Sequence, residues 1–235
     1  MKTIVRVKDL TKNYGQGEVI TRALRGVNLT LEAGEFSAMA GPSGSGKSTL
    51  LNIIGGLDRP TSGRVELDGR DISHLTSTGL SRLRRDRVGF IFQAYNLIPV
   101  LTVLENAEYV LMLQGMPGAE RREKVRELLN VVGLEGMEGR FPRELSGGQQ
   151  QRVAIARAIV PEPALVLADE PTANVDSKTA GDLMELMRRL NEDKGVTFFF
   201  STHDPRVMKQ ARRLLVLRDG RIDHDGNMAG GPDAL

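Results

Sequence analysis

Residues 36–54 read Phe36-Ser37-Ala38-Met39-Ala40-Gly41-Pro42-Ser43-Gly44-Ser45-Gly46-Lys47-Ser48-Thr49-Leu50-Leu51-Asn52-Ile53-Ile54. An apolar run, Phe36 to Ala40, stops at a glycine-rich turn, and Leu50 to Ile54 continues with helical character. The order is strand, tight loop, helix. From Gly41 to Ser48 the loop fits G-x-x-x-x-G-K-[ST] at every fixed position. Glycines let backbone N–H groups curl inward around phosphate oxygens, and the helix that follows aims its positive pole at the same place. Lys47 is then placed to reach the β- and γ-phosphates of a nucleoside triphosphate. Ser48 offers a hydroxyl to Mg²⁺, which prefers oxygen and keeps several waters. A glycine turn that met the pattern by chance would lack the strand before it and the helix after it.

On either side the hydrophobic pattern is of two kinds. Ile4 to Leu10 and Val27 to Leu31 alternate apolar and polar residues, as half-buried strands do. Val88 to Phe92, Ala164 to Ala168, Val196 to Phe200 and Leu214 to Leu217 are short continuous apolar runs, which read as strands buried on both faces. Between them, Glu120 to Val132 places Val125, Leu128, Leu129 and Val132 at helical spacing, and Leu183 to Leu190 does the same. Strands alternating with helices predict an α/β fold built on a mostly parallel sheet. The stretch 94–150 is helix-rich without a clear strand and reads as a helical subdomain inserted into that core. Residues 227–235, rich in glycine and proline, are expected to form a flexible tail.

Leu165-Val166-Leu167-Ala168-Asp169-Glu170 is an apolar strand ending in two carboxylates. In phosphate-loop ATPases an Asp in this place orients the Mg²⁺ shell. The next carboxylate can take a proton from an attacking water. The alternative is an acidic pair capping a following helix. With the phosphate loop upstream, catalysis is favoured. His203 follows the run Val196 to Phe200, at the kind of strand end where ligands collect in open α/β sheets. Gln93 follows Phe92 and has an amide oxygen suited to Mg²⁺ or water; neither residue carries weight in isolation.

Leu145-Ser146-Gly147-Gly148-Gln149 stands upstream of the carboxylate pair. Ser146 and the two glycines read as a turn before a helix from about Gln149 to Ile159, whose N-terminus would attract phosphate. Together with the phosphate loop and the carboxylates, this stretch resembles the signature motif of ATP-binding cassette (ABC) proteins. The resemblance runs from Tyr14 to about Asp225. It implies a phosphate-loop ATPase core formed by 1–93 and 151–226, with an N-terminal antiparallel β part. The helical subdomain 94–150 would carry the signature.

The resemblance also implies roles. Two copies of the chain would face head to tail and trap two ATP molecules. Gly41, Pro42, Ser43, Gly44, Ser45, Gly46, Lys47, Ser48 and Thr49 would hold the phosphates of one ATP. Ser146, Gly147, Gly148 and Gln149 would touch the ATP held by the second copy. Tyr14 matches the aromatic that stacks on adenine, Gln93 the lid glutamine, Glu170 the catalytic base and His203 the switch histidine. Ser48, Gln93 and Asp169 would hold Mg²⁺, and Lys47 would assist catalysis. Ala173-Asn174-Val175-Asp176 matches the dimer-contact loop, with Val175 where leucine is common.

Within the family, Gly55-Gly56-Leu57-Asp58-Arg59-Pro60-Thr61-Ser62-Gly63 and Asn96-Leu97-Ile98-Pro99 resemble the cassettes of the lipoprotein-releasing and macrolide-exporter group. So does Tyr14-Gly15-Gln16-Gly17-Glu18. In such systems the region after the glutamine receives a transmembrane permease subunit. The implied work is export, extraction or force transmission at the cytoplasmic face of the inner membrane. The alternative is a regulatory ATPase of a cell-division-type membrane complex that transports nothing.

Composition agrees with a globular enzyme. Of 235 residues, 40% are hydrophobic and 26% charged, which sets aside disordered and fibrous classes. With 32 basic and 30 acidic residues the net charge is +2, weak support for nucleic acid as a partner, and none is expected. There is no cysteine, hence no disulfide, thiolate metal site or cysteine nucleophile. Charges interrupt the first residues, so no signal peptide is expected, and no apolar run approaches the roughly 20 residues of a spanning helix. A family relative that maintains chromosomes would insert a long coiled coil between the phosphate loop and the signature, and no sustained heptads stand there.

Overall fold

The continuous apolar runs become strands because both their faces are covered. In the computed structural model, which describes residues 2–15 and 20–227, the chain runs β1 (Thr3–Tyr14), β2 (Thr21–Glu32), β3 (Phe36–Ala40), α1 (Lys47–Ile54), β4 (Ser62–Leu67), β5 (Arg70–Asp71) and α2 (Ser77–Arg87). It continues through β6 (Val88–Phe92), α3 (Val103–Leu113), α4 (Gly118–Val131), a 3₁₀ turn at Pro142–Glu144, α5 (Gly147–Ile159), β7 (Leu165–Asp169) and α6 (Ser177–Lys194). Last come β8 (Thr197–Ser201), α7 (Pro205–Met208), β9 (Arg213–Arg218) and β10 (Arg221–Asn227).

Two sheets form. One has the order β2-β1-β4-β5 and is antiparallel; the other has the order β10-β9-β3-β8-β7-β6. In the second sheet every pair is parallel except β9 with β10. The period-2 alternation of a strand splits its side chains between two cores. Phe198 and Phe200 of β8 join a core with α3 to α6, whereas Phe199 joins the core of α1, α2 and the antiparallel sheet. Val166 and Ala168 of β7 divide from Leu165 and Leu167 in the same way.

Several boundaries differ from the sequence reading. Strands expected at 164–168 and 196–200 lie one residue later, which brings Asp169 and Ser201 into register as the last pair of β7 and β8. The helix expected from about Gln149 begins at Gly147, so the two glycines form its first turn and Ser146 is its N-cap. A reciprocal capping box with Gln149 fixes that start, satisfying N–H groups that the helix leaves unpaired. Asp169 and Glu170 cap no helix; Asp176 caps α6, accepting from Lys178 N and Thr179 N at 3.0 Å each.

Among the described residues, 94–150 contain no strand. Of the tail expected at 227–235, Asn227 closes β10 and the rest lies outside the described residues. Gln16 to Glu18 also lie outside them.

Because β3, β6, β7 and β8 are parallel, their C-terminal ends share one edge of the sheet. Gly41, Gln93, Glu170 and Thr202 follow those ends directly. The phosphate loop and both carboxylates are therefore neighbours although far apart in the chain.

Candidate functional site

A cavity of about 620 Å³ opens on that edge. It is lined by Thr21, Arg22, Ala23, Gly41 to Gly44, Gly46 to Thr49, Gln93, Asp169, Glu170 and His203. Its floor is the loop before α1. Gly46 caps that helix at φ 106° with no side-chain hydrogen bond, and the first turn holds no acidic residue. The helix therefore keeps its positive end for an anion. Two glycines are required by closeness as well as conformation. A Cβ on Gly41 (φ 150°) would lie 2.1 Å from the Leu217 carbonyl oxygen, and one on Gly46 would lie 2.6 Å from that of Ala23.

Lys47 Nζ donates to Gly41 O at 2.7 Å and to Pro42 O at 3.0 Å, so its charge is held over the loop. Ser45 is the exception among the loop residues expected to bind nucleotide. It is buried outside the cavity lining, its carbonyl accepts from Gly220 N at 3.0 Å, and its hydroxyl has no partner among the described residues.

Ser201 organises the carboxylate wall. Its hydroxyl donates to Asp169 Oδ1 at 2.5 Å and accepts from Glu170 N at 3.1 Å. Glu170 sits at φ 49°, a left-handed conformation unusual for a residue with a side chain, which turns its carboxylate away from the strand. Its Oε1 lies 2.9 Å from His203 Nδ1. An ionised carboxylate accepts, so Nδ1 is the donor in this contact. The His203 side chain is 71% exposed and that of Glu170 is 16% exposed, so the pair has one buried and one solvent-facing member.

Gln93 Nε2 donates to Asn174 Oδ1 at 3.5 Å, and Asn174 Nδ2 donates to Gln93 O at 2.9 Å. The Gln93 amide oxygen is left as an acceptor. With Ser48 and Asp169 it makes an all-oxygen donor set on one cavity, with a single carboxylate. That set suits a hard cation that retains water and takes phosphate oxygens, as Mg²⁺ does. The residues fit the ion implied by the sequence.

Two groups of expected residues lie elsewhere. Tyr14 does not line the cavity; it is half exposed, and its hydroxyl is fixed by Asp58 Oδ2 at 2.7 Å. Ser146, Gly147, Gly148 and Gln149 are also outside it. Their two glycines have a packing reason of their own. A Cβ on Gly148 would meet Thr179 Cγ2 at 2.5 Å, and one on Gly147 would meet the Tyr95 hydroxyl at 2.7 Å. The sequence reading missed Thr21, Arg22 and Ala23 of β2, which line the cavity. Nothing in their local pattern marks them, because they reach the loop only through packing of one sheet on the other.

Beside the cavity, β6 borders a second concavity of about 520 Å³, lined largely by apolar groups including Leu57, Phe90, Phe92, Ile98, Val110 and Leu113, with Arg84, Arg85 and Arg157 among them. Leu57 and Leu113 stand 45% and 50% exposed at its rim. Among the described residues no helix is long and apolar enough to cross a membrane.

Comparison with known proteins gives one consistent result. The family model described as ABC transporter matches residues 24–173. An uncharacterized ABC transporter ATP-binding protein of Methanocaldococcus jannaschii, MJ0796, is 46% identical over 234 residues, covering 98% of this chain and 100% of that protein. The lipoprotein-releasing system ATP-binding protein LolD of Anaeromyxobacter dehalogenans is 48% identical over 223 residues, covering 94% and 93%. The macrolide export ATP-binding/permease protein MacB of Hyphomonas neptunium is 47% identical over 222 residues; the match covers 94% of this chain but 34% of MacB. Among solved structures, a dimeric post-hydrolysis state of MJ0796 bound to ADP and Pi superposes with a TM-score of 0.89, covering 97% of this chain and 100% of that one.

Proposed function

The chain belongs to the ABC transporter family, and on that premise we propose that it is an ATP-hydrolysing subunit whose closure with a second copy drives export, extraction or force transmission by a separate membrane protein. The observation that carries the reading is the division of the chain's own groups. The phosphate loop, Asp169, Glu170 and His203 line one cavity, while Ser146 and Gln149 cap α5 outside it. A helix start that is absent from its own chain's cavity is suited to complete a second copy's cavity.

In this reading the loop amides and Lys47 bind the triphosphate. Ser48, Gln93 and Asp169 would hold Mg²⁺, which supplies charge neutralisation on the phosphates when bound. Glu170 orients a water and takes its proton as the oxygen attacks the γ-phosphorus. The bond from that phosphorus to the bridging oxygen breaks, leaving ADP and phosphate. His203, through Nδ1–H on Glu170, steadies the base. The work is positioning and charge stabilisation, both provided by groups fixed to strand ends. Tyr14, outside the cavity lining, is the aromatic that would stack on adenine. The apolar groove on β6 receives the membrane subunit, which holds this chain at the cytoplasmic face of the membrane.

The test is the mass of Glu170→Gln with saturating ATP and Mg²⁺, measured by light scattering, with Lys47→Ala as the control. A dimer formed only by Glu170→Gln supports the reading. A monomer under those conditions removes Glu170 from the role of base. Pulling on the trapped form from membranes then identifies the partner: a subunit of few helices with a large external domain agrees, and an importer-like subunit overturns the export assignment.

A further inference from the structure

Tyr95 stands two residues after Gln93 and does not line the cavity, yet it touches two other parts of the chain, the Asn174 loop and α5. Its hydroxyl donates to the Asn174 carbonyl oxygen at 3.1 Å, in the loop that leads from Glu170 to α6. The same hydroxyl is so close to Gly147 that a Cβ there would lie 2.7 Å from it. Its own carbonyl accepts from Arg157 Nη2 at 2.9 Å, while Arg157 Nη1 donates to Asn96 O at 2.6 Å. Gly147 and Arg157 are both on α5, so one helix grips the tyrosine at its ring tip and at its backbone.

The backbone there is held in an uncommon form. Tyr95 and Asn96 are consecutive residues at φ 60° and 50°, a left-handed conformation that side chains disfavour. Such residues persist where surrounding contacts over-determine them. The Arg157 guanidinium does so here with two backbone carbonyls and no carboxylate. A second link closes the circuit, because Gln151 of α5 is buried and donates to Pro171 O at 2.5 Å, directly after Glu170.

We propose that Tyr95 is a positioning residue for hydrolysis, whose hydroxyl locks the Asn174 loop to the first turn of α5, so that both move with the segment after Gln93. The inference rests on the ATPase reading above. Tyr95 touches no reacting atom in it and acts through Asn174 and Gly147. A displacement of the segment after Gln93 reaches the signature turn and the Asn174 loop together through this phenol, beside the direct Gln93–Asn174 bonds and the Arg157 bonds to the Tyr95 and Asn96 carbonyls.

The test uses the full chain. Tyr95→Phe deletes the hydroxyl alone. Steady-state ATPase activity is expected to fall about three- to tenfold in kcat, with KM for ATP within about twofold, because the lost bond orients groups and leaves the phosphate loop intact. The geometry is read separately by thermal melting. Gly147→Ala forces the hydroxyl aside and lowers Tm; with the hydroxyl removed the nearest remaining atoms are Asn174 O at 3.4 Å and Tyr95 Cζ at 3.7 Å, which leave room. The double variant Tyr95→Phe/Gly147→Ala should therefore melt above Gly147→Ala. An unchanged kcat in Tyr95→Phe overturns the proposal. So does a parallel rise in KM, or a double variant that melts no higher than Gly147→Ala. A wild-type chain without ATPase activity instead removes the reading beneath it.

Discussion

The hydroxyl of Tyr14 donates to Asp58 Oδ2 at 2.7 Å, and Lys12 Nζ reaches Oδ1 of the same carboxylate at 2.7 Å while lying 4.7 Å from the centre of the Tyr14 ring. The three groups join the end of β1 to the segment after α1. Burial pushes the Asp58 carboxyl up, but the Lys12 ammonium, the Tyr14 hydroxyl and the Arg59 amide outweigh it and hold the carboxyl below its usual range. The folded value is thus depressed. The stability it contributes is complete above the unfolded carboxylate value near about 4 and is lost as pH falls through the lower folded value. Thermal melts should show a constant Tm gap between wild type and Asp58→Asn above about pH 5, closing below about pH 4. A gap that widens on acidification contradicts the cluster's role.

His203 is expected to act through Glu170. His203→Ala should lower kcat by about tenfold to 10²-fold, less than loss of the base itself because His203 acts by holding Glu170, with KM for ATP little changed. His203→Gln, which can still donate to Oε1, should retain more activity. Equal loss in both variants would show that the imidazole does something other than hold the base.

Arg213 is a clamp between the sheets. Its Nε and Nη2 pair with the two oxygens of Asp225 at 2.7 Å each, and Nη1 donates to Glu35 Oε2 at 3.0 Å and to Thr30 O at 2.8 Å. The bidentate pair with Asp225 raises the guanidinium pKa further, against the effect of burial. Arg213→Ala removes a bidentate but partly exposed pair and should cost about 1–2 kcal/mol, read as a lower urea midpoint at unchanged slope. Lysine lacks the planar fork and should not restore it.

Gly89 sits in β6 with its backbone against α5. A Cβ there would lie 2.4 Å from Ala158 O and 3.2 Å from Ala158 Cβ. Gly89→Ala must push strand from helix and should destabilise by about 1–3 kcal/mol, measurable by denaturant titration. Since Gly89 also lines the apolar groove, capture of the membrane subunit should weaken even at temperatures where the variant is fully folded.

The sequence made some of this plain for a physical reason. A strand buried on both faces must be apolar throughout, so β3, β6, β7, β8 and β9 were readable as runs, and the polar residues that end them marked the site edge. Elements whose stability is borrowed from neighbours were not readable. Helix α2 carries four arginines and buries only Leu80 and Leu83. Strand β10 is largely exposed and exists by pairing with β9. The start of α5 was misplaced because glycine costs about 1 kcal/mol in a helix relative to alanine. The reason for two of them at Gly147 and Gly148, contact with Tyr95 and Thr179, is tertiary. In the site, Lys47 was legible from the phosphate-loop pattern and Asp169 and Glu170 from the carboxylates ending an apolar run, whereas Gln93 and His203 took their weight from the family resemblance. The positions of Tyr14 and Ser45, and the contacts of Tyr95 with Asn174, depend on packing between segments distant in the chain.

Strand β6 turns its Phe90 and Phe92 rings, stacked 5.7 Å apart, into the apolar groove and delivers Gln93 to the cavity. The same strand thus joins the two sites, and any coupling between their ligands is reciprocal. Whatever factor a groove occupant applies to the affinity for ATP, ATP must apply to the affinity for that occupant. In the proposed assembly, where the groove takes the membrane subunit, that subunit's grip would differ between the ATP-bound and ADP-bound chain to the extent that the two nucleotides act differently on β6.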